Sequence, residues 1–547
     1  MLREIYCEKF FCEGKIRKPI IFHQGLNTVL GSDSGSNSIG KSTFLMILDF
    51  VFGGMDYLEK SSDVHKNIGA HIICFSYEFS GKRYYFARPT NNSREVFVCD
   101  EKYNNLETIS IEKYNDFLKE KYGLRHLPLT FRETVGKFFR VYLKECCDEC
   151  HPLRVAARVS DKDGIIELIK IFGKYDAIKS TIETLKDIEQ RHDIYKKAIR
   201  YNQIISPANK TEYKKNSKDI KLLEKDLEEL AEKSNCGLLE IDSLKAKLVA
   251  GLKSDLTKLY RKRTILKSKR ELLVQDSLIV PLEKDFSPLI HFFPEANLKS
   301  LAEVETFHKG VIDALQDEYK QKCDEYDCLL LMISEEIEKL EIKIKAMGSA
   351  SNLSQMILDN YSAMRSRYDN LIEANKHFDE EIALKTAVAE LKQRLNDLYK
   401  SEFLDIETKI NEQMENYNKF IFNKDKISPV LNIVDNSHYS FEIPNDSGTG
   451  SRYKGLILFD LSMLLLTPLP VAAHDSFMLK QIEDYVLEKL LELYTGMQKQ
   501  VFIAIDKQNS YTQRASELLE HSVVLRLSSD GKELFGRSWN VIDTKTE

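Results

Sequence analysis

Proline and glycine are scarce. The chain holds 12 prolines and 23 glycines in 547 residues, against ordinary usage of roughly 5% and 7%. With 30% of residues charged, this shortage of breakers favours long helices over an all-β protein or a disordered tail. No stretch approaches the roughly eighteen apolar residues of a membrane span. The nearest, GLILFDLSMLLL at 455–466, is short and carries Asp460, so it reads as a buried helix. The opening MLREIYCEKF lacks the apolar run of a secretory signal. Ten cysteines are scattered without framework spacing, the pattern of reduced thiols in the cytoplasm. Neither sign of charge dominates: 79 basic and 85 acidic residues leave a net −6. That excludes a uniformly basic nucleic-acid coat but permits a local patch.

Composition shifts divide the chain into three zones. Residues 1–160 mix short period-2 apolar runs with turns, as in KPIIFHQGLNTVLG, AHIICFSYEF and KRYYFARPT, and predict strands with a hairpin at Ser80-Gly81-Lys82. Through 161–420, heptads take over. Tyr319, Cys323, Tyr326, Leu330, Ile333, Ile337, Leu340 and Ile344 follow a four-three spacing, the seam of a coiled coil. A second seam runs through Leu384, Val388, Leu391, Leu395 and Leu398. The proline-bearing segment 277–300 splits this zone into an outgoing arm, 161–276, and a returning arm, 301–420. Each arm, if continuous, would reach roughly 150 Å at 1.5 Å per residue. Breaks at Ser234–Gly237 and Gly348–Asn352 lie at comparable distances from the turn and read as a facing joint, or as two unrelated helix ends. Whether the coil is straight or folded there is left open. Residues 421–547 return to mixed patterning: strands at SPVLNIVD and HYSFEIP, a buried helix at YKGLILFDLSMLLL, then LPVAAHD, a helix, and QVFIAID, a parallel-sheet signal.

The strongest motif is Gly35-Ser-Asn-Ser38-Ile-Gly40-Lys41-Ser42, which fits GxxxxGK[ST]. It follows the apolar strand Leu26–Leu30 and opens an apolar helix from Thr43. In that context the loop wraps backbone N–H groups around phosphates, Lys41 reaches the β- and γ-phosphates, and Ser42 ligates Mg²⁺. Such a site needs a metal-side carboxylate on a neighbouring strand. Asp460 falls in mid-helix; Asp475 ends a proline-led strand, at the sheet edge where ligands bind. Asp475 is therefore the expected Mg²⁺ residue, and the two ends of the chain are expected to form one head.

This layout resembles the SMC and RecN-type coiled-coil ABC ATPases. The phrasing GLNTVLGSDSGSNSIGKSTFLMILDFVFGG looks like the SMC-like ATPase subunits of bacterial anti-phage systems of the Lamassu and three-component ABC kinds. The resemblance implies an α/β fold: a composite ABC-type head from N- and C-terminal lobes joined by a long antiparallel coiled coil. It implies ATP and Mg²⁺, with Gly35, Ser38, Gly40, Lys41, Ser42 and Thr43 as the P-loop. Ser447-Gly448-Thr449-Gly450 would be the signature that grips the nucleotide of a second copy, so that heads dimerise on ATP. Asp484 would lie at the dimer contact. Two departures stand out. Ser476 occupies the place of the usual general-base glutamate, and Asp506 that of the usual switch histidine. A neutral serine cannot take a proton as a carboxylate does, so hydrolysis is slow or uses Asp506 or Glu483. The implied role is a DNA- or partner-sensing ATPase that regulates an effector, with accessory subunits, DNA as a partner and no membrane. The competing reading is a scaffold in which ATP is static glue.

Weaker constellations complete the reading. Cys146, Cys147, Cys150 and His151 are soft ligands crowded into six residues without a second half-site, and read as free thiols before zinc. The basic cluster Arg261, Lys262, Arg263, Lys267, Lys269 and Arg270 suits either a DNA backbone or acidic residues on the other arm. Arg83 and Arg88, on the early hairpin, are expected on a strand surface before a place near phosphates.

Overall fold

The computed structural model describes the chain outside residues 33–38, 155–159, 202, 235–240, 278–297, 347–354, 424, 507 and 540–547. Gly35 and Ser38, both breaks of the coil and the proline-bearing turn thus lie largely or wholly outside the described residues. Two compact units form: Met1–Thr181 with Arg394–Glu547, and Ile182–Gln393. The first unit therefore contains both ends of the described chain.

Its strands are β1 (Leu2–Tyr6), β2 (Phe11–Cys12), β3 (Lys15–Ile16), β4 (Ile20–Ile21), β5 (Leu26–Leu30), β6 (Ile72–Phe79), β7 (Lys82–Pro89), β8 (Glu95–Cys99), β9 (Asn105–Ser110), β10 (Phe139–Arg140), β11 (Val430–Ile433), β12 (Tyr439–Glu442), β13 (Val471–His474), β14 (Gln500–Ile505) and β15 (Val523–Arg526). The helices of the chain are α1 (Lys41–Val51), α2 (Asp56–Lys60), α3 (Ser62–Ile68), α4 (Ile111–Lys121), α5 (Phe131–Val135), α6 (Asp161–Ile171), α7 (Tyr175–Arg200), α8 (Lys210–Ser234), α9 (Ile241–Ser277), α10 (Leu298–Ala346), α11 (Gln355–Phe422), α12 (Thr449–Leu466), α13 (Ser476–Leu479), α14 (Asp484–Thr495) and α15 (Gln513–Ser522). Among the described residues none of these helices is long and apolar enough to cross a membrane.

Two main sheets build the first unit. One is antiparallel, in the order β4-β1-β6-β7-β8-β9. Its β6–β7 hairpin closes at Ser80 and Gly81, with φ of 49° and 77°; two positive φ values in a two-residue loop match the twist of the flanking strands. The other sheet has the order β10-β13-β14-β5-β15 and is parallel throughout. Its central strands β13, β14 and β5 are buried along their whole length, as strands covered on both faces must be. The N-terminal strand β5 lies between two C-terminal strands, so neither end of the chain could close this sheet alone. A side-chain clasp reinforces the junction: Leu2 N–H donates to Gln500 Oε1 at 2.9 Å, and Gln500 Nε2 donates to Leu2 O at 2.9 Å.

Helix α1 buries nine of its eleven residues, as expected of a helix apolar nearly all round. It packs on β14, and Val51 O at its C-terminal end accepts from Tyr77 of β6 and Tyr114 of α4. Arg88 corrects the expectation of a surface strand residue. It is fully buried and donates to Phe50 O at 2.6 Å and Gly54 O at 2.8 Å, with Phe50's ring 3.8 Å beneath it. The carbonyls left open at a helix C-terminus and the negative end of its dipole suit a guanidinium. Arg83 is half-exposed and pairs with Glu78.

The second unit is helical. Glu189 pairs with Lys392 at 2.7 Å, and Tyr195 donates to Glu380 at 2.8 Å. Tyr213 donates to Asp379, and Arg367 reaches Asp219. Numbers rise on α7 and on α8 as they fall on α11, so each runs antiparallel to it. Arg270 pairs with Asp327, and Tyr260 donates to Glu341, so α9 and α10 are antiparallel as well. Lys339–Glu373 at 2.9 Å and Lys343–Asp369 at 3.0 Å add a further pairing. The two halves of the returning arm, α10 and α11, lie side by side in opposite directions. This pairing is made by described residues alone; both expected breaks of the coil lie outside them.

Candidate functional site

The C-terminal ends of three neighbouring parallel strands carry the candidate residues. Strand β5 leads into the glycine-rich loop, β13 into Asp475, and β14 into Asp506. Gly40 caps α1 with φ 99°, and a Cβ there would stand 2.5 Å from Leu534 Cβ. Only glycine fits both that conformation and that space. The first turn of α1 places Lys41, Ser42 and Thr43 at the positive end of the helix, where N–H groups lack intrahelical partners.

Lys41 is 7% exposed and its Nζ lies 3.4 Å from Asp506 Oδ2. Burial pulls its ammonium below the ordinary lysine range, and Asp506 and Asp475 oppose that shift. The sequence reading missed a further cation. Lys480, five residues beyond Asp475, lies 2.7 Å from the same Asp506 oxygen. No motif marks it; the signal was a lysine just past a sheet-edge aspartate.

Asp475 is fully buried and caps α13. Its Oδ1 accepts from Ser476 N–H at 2.6 Å, and its Oδ2 from Tyr142 N–H at 3.0 Å. Tyr142 follows β10, so the N-terminal lobe orients the carboxylate of the C-terminal lobe. The Ser476 hydroxyl lies 3.3 Å from Asp475 Oδ1 and carries no carboxylate chemistry of its own. Beneath Asp475, Asp460 in mid-α12 accepts from Arg140 and neighbours His474, all three wholly buried.

Ser447, Gly448 and Thr449 are exposed at the start of α12. Gly448 N–H donates to Asp446 Oδ1 at 2.9 Å. A Cβ on Gly450 would stand 2.3 Å from Gln481 O, so the helix start lies directly against the chain beyond Asp475. Glu483 caps α14, and Asp484 opens its first turn; both are exposed.

The cysteine-rich segment does not converge. Cys146 donates to Phe139 O, Cys147 to Val141 O, and His151 pairs with Asp148. Among the described residues no group of three or more His, Cys, Asp or Glu is placed to hold a metal ion. In the basic cluster, Arg270 engages Asp327, while Arg263 stacks on Tyr260.

The donor set fits a phosphate chain with its metal. A helix N-terminus and a glycine demanded by close packing flank a lysine whose present partner is a carboxylate, an anion of the kind a phosphate would replace. Asp475 and the Ser42 hydroxyl are the oxygen ligands that Mg²⁺ prefers.

A family model described as an uncharacterised protein conserved in bacteria, DUF2326, matches residues 406–539. No curated protein matches the chain. Among solved structures, the chain is similar to the Smc head domain with a coiled coil and joint from Pyrococcus yayanosii, at 14% identity and TM-score 0.42, covering 98% of this chain and 96% of that one. It is also similar to the Smc head domain with an extended coiled coil bound to the C-terminal domain of ScpA from Pyrococcus furiosus, at 11% identity and TM-score 0.35, covering 92% and 89%.

Proposed function

We propose that the chain is an SMC-like, ABC-type ATPase subunit whose composite head binds ATP with Mg²⁺. The observation that carries this reading is the placement of Lys41 on the N-terminal strand–helix junction, ion-paired to Asp506 of the C-terminal lobe. Gly35, Ser38, Gly40, Lys41, Ser42 and Thr43 would cradle the phosphates. Ser42 and Asp475 would hold Mg²⁺, which supplies charge neutralisation between the phosphates. Tyr142 N–H and Ser476 N–H fix the Asp475 carboxylate for that task.

Ser447, Gly448 and Thr449 are exposed, and with Gly450 they would serve a second copy, so two heads would clamp two nucleotides between them. With Ser476 at the general-base place, turnover is slow and the clamped state persists; Asp506 is occupied by two lysines, which argues against it as the base. On the resemblance of its P-loop phrasing, the chain would act in cytoplasmic anti-phage defence, sensing DNA or a partner and regulating an effector with accessory subunits. A scaffold role with static ATP is the second reading, favoured by Ser476. Light scattering of the full chain with and without ATP and Mg²⁺ tests the clamp. A doubled mass with ATP supports it, and an unchanged monomer contradicts it. ATP turnover with and without DNA separates sensor from scaffold.

A further inference from the structure

Two ammonium groups converge on one carboxylate oxygen. Lys41 and Lys480 lie 3.4 and 2.7 Å from Asp506 Oδ2, which places their nitrogens within about 6 Å of each other. Asp506 is wholly buried, whereas the Lys480 side chain keeps 35% of its surface in solvent. The Lys41 stem lies flat over the exit of β5: a Cβ on Gly31 would stand 3.0 Å from its Cδ and 3.0 Å from Asp506 Cβ. The lysine is thus drawn across the start of the glycine-rich loop toward β14.

A lone carboxylate at this edge would repel a phosphate. Lys480 cancels that charge, and Lys41 offsets the second carboxylate of this edge, Asp475. Lys480 also comes from the loop that carries Asp475, one short helix further on. The metal-side carboxylate marks the end of the phosphate chain where β- and γ-oxygens share the ion. A cation supplied from that loop is therefore positioned for the terminal phosphate and not for the nucleoside end.

We infer that Lys480 is a contact for the terminal phosphate of a nucleoside triphosphate, held by Asp506 until that phosphate takes it. The inference rests on the nucleotide reading above and assigns the site its discrimination between triphosphate and diphosphate. Three terminal oxygens can engage both ammonium groups at once, whereas both lysines approach Asp506 at the same oxygen, Oδ2. Release from Asp506 on binding makes the exchange specific to a ligand that carries more charge than the carboxylate.

Isothermal titration of the full chain with AMP-PNP or with ADP, each with Mg²⁺, tests this. Lys480→Ala is expected to weaken AMP-PNP at least about tenfold, the size of one charge-assisted contact, and to change ADP by less than about twofold. Lys480→Arg, which keeps the charge, is expected to retain most of the preference. Asp506→Asn, which removes the carboxylate that both lysines pair with, is expected to tighten AMP-PNP relative to ADP. Equal losses for both nucleotides in Lys480→Ala, or no loss for either, would overturn the inference while leaving nucleotide binding intact. Failure of the wild-type chain to bind either nucleotide would overturn both the nucleotide reading and this inference.

Discussion

Arg140 donates two hydrogen bonds to Asp460, at 2.9 and 2.8 Å, across 320 positions of sequence, and neither side chain touches solvent. The pair joins the N-terminal strand β10 to the C-terminal helix α12. His474 continues it, with Nε2 3.1 Å from Asp460 and Nδ1 2.6 Å from the Tyr494 hydroxyl. Removing one partner strands a buried charge, which typically costs about 3–5 kcal/mol. Asp460→Asn is therefore expected to lose that much in urea unfolding. Arg140→Met with Asp460→Leu should lose less than the single variant, because no charge is left unpaired. A single variant within about 0.5 kcal/mol of wild type would mean that the pair does not hold the lobes together.

Acid should reveal the same pair. Burial alone would raise the Asp460 carboxyl, but the charge of Arg140 and the hydrogen bonds from Arg140 and His474 outweigh it and hold it below the ordinary carboxylate range. A carboxyl with a lowered folded pKa contributes stability that is fully present above its unfolded value, about 4, and is lost as pH falls through the folded one. The stability difference between wild type and Asp460→Asn should accordingly narrow below pH 4. A constant difference down to pH 2 would contradict the assignment.

Lys454 titrates in the opposite range. It is 3% exposed on α12, and burial, with Lys426 close by, pushes its ammonium down to about 8. Its Nζ donates to Asn418 Oδ1 at 3.1 Å. An unfolded lysine titrates near 10.4, so between about pH 8 and 10 the unfolded chain binds more protons and the cost of burying the charge fades as pH rises. Lys454→Met should compare with wild type more favourably at pH 7 than at pH 10. A pH-independent difference would show that Lys454 is not a buried cation.

Gly450 and Gly448 separate packing from exposure. A methyl on Gly450 would meet the fixed backbone oxygen of Gln481 at 2.3 Å, whereas on Gly448 it would meet the movable Asp446 carboxylate at 3.2 Å. Gly450→Ala should cost roughly 1–3 kcal/mol by overpacking and displace the chain around Lys480. Gly448→Ala should stay within about 0.5 kcal/mol of wild type. Equal effects would break the argument that α12 is seated on the loop after Asp475.

Much of the first unit was legible. Three buried apolar strands, each followed by a loop bearing Lys41, Asp475 or Asp506, carry the pattern of a parallel sheet edge in their residue types alone. Asp460 could be set aside as mid-helix because its neighbours keep a helical run. Its partner Arg140 could not be found, since nothing local links two residues so far apart. Arg88 was misread because alternation in a hairpin does not reveal that one face packs on a helix end. Lys480 went unseen because a cation paired to a sheet-edge carboxylate has no spacing rule. The pairing of α10 with both α9 and α11 was not legible, because a heptad seam marks a helix that needs a partner without saying which helix supplies it.

Ser476 gives the hydrolysis argument its sharpest variant. A positioned general base contributes typically about 10²–10⁴-fold. Wild-type turnover should be slow, and Ser476→Glu should raise it by at least about tenfold in single-turnover assays. Fast wild-type turnover that Asp506→Ala abolishes would assign the base to Asp506 instead.

Titration of ATP with Mg²⁺ into the full chain and its Lys41→Ala variant tests the central claim most directly. The account predicts one ATP per wild-type chain and an affinity at least about a hundredfold weaker in Lys41→Ala, two factors of ten being about 2.7 kcal/mol. Undiminished affinity in a folded Lys41→Ala chain would contradict it.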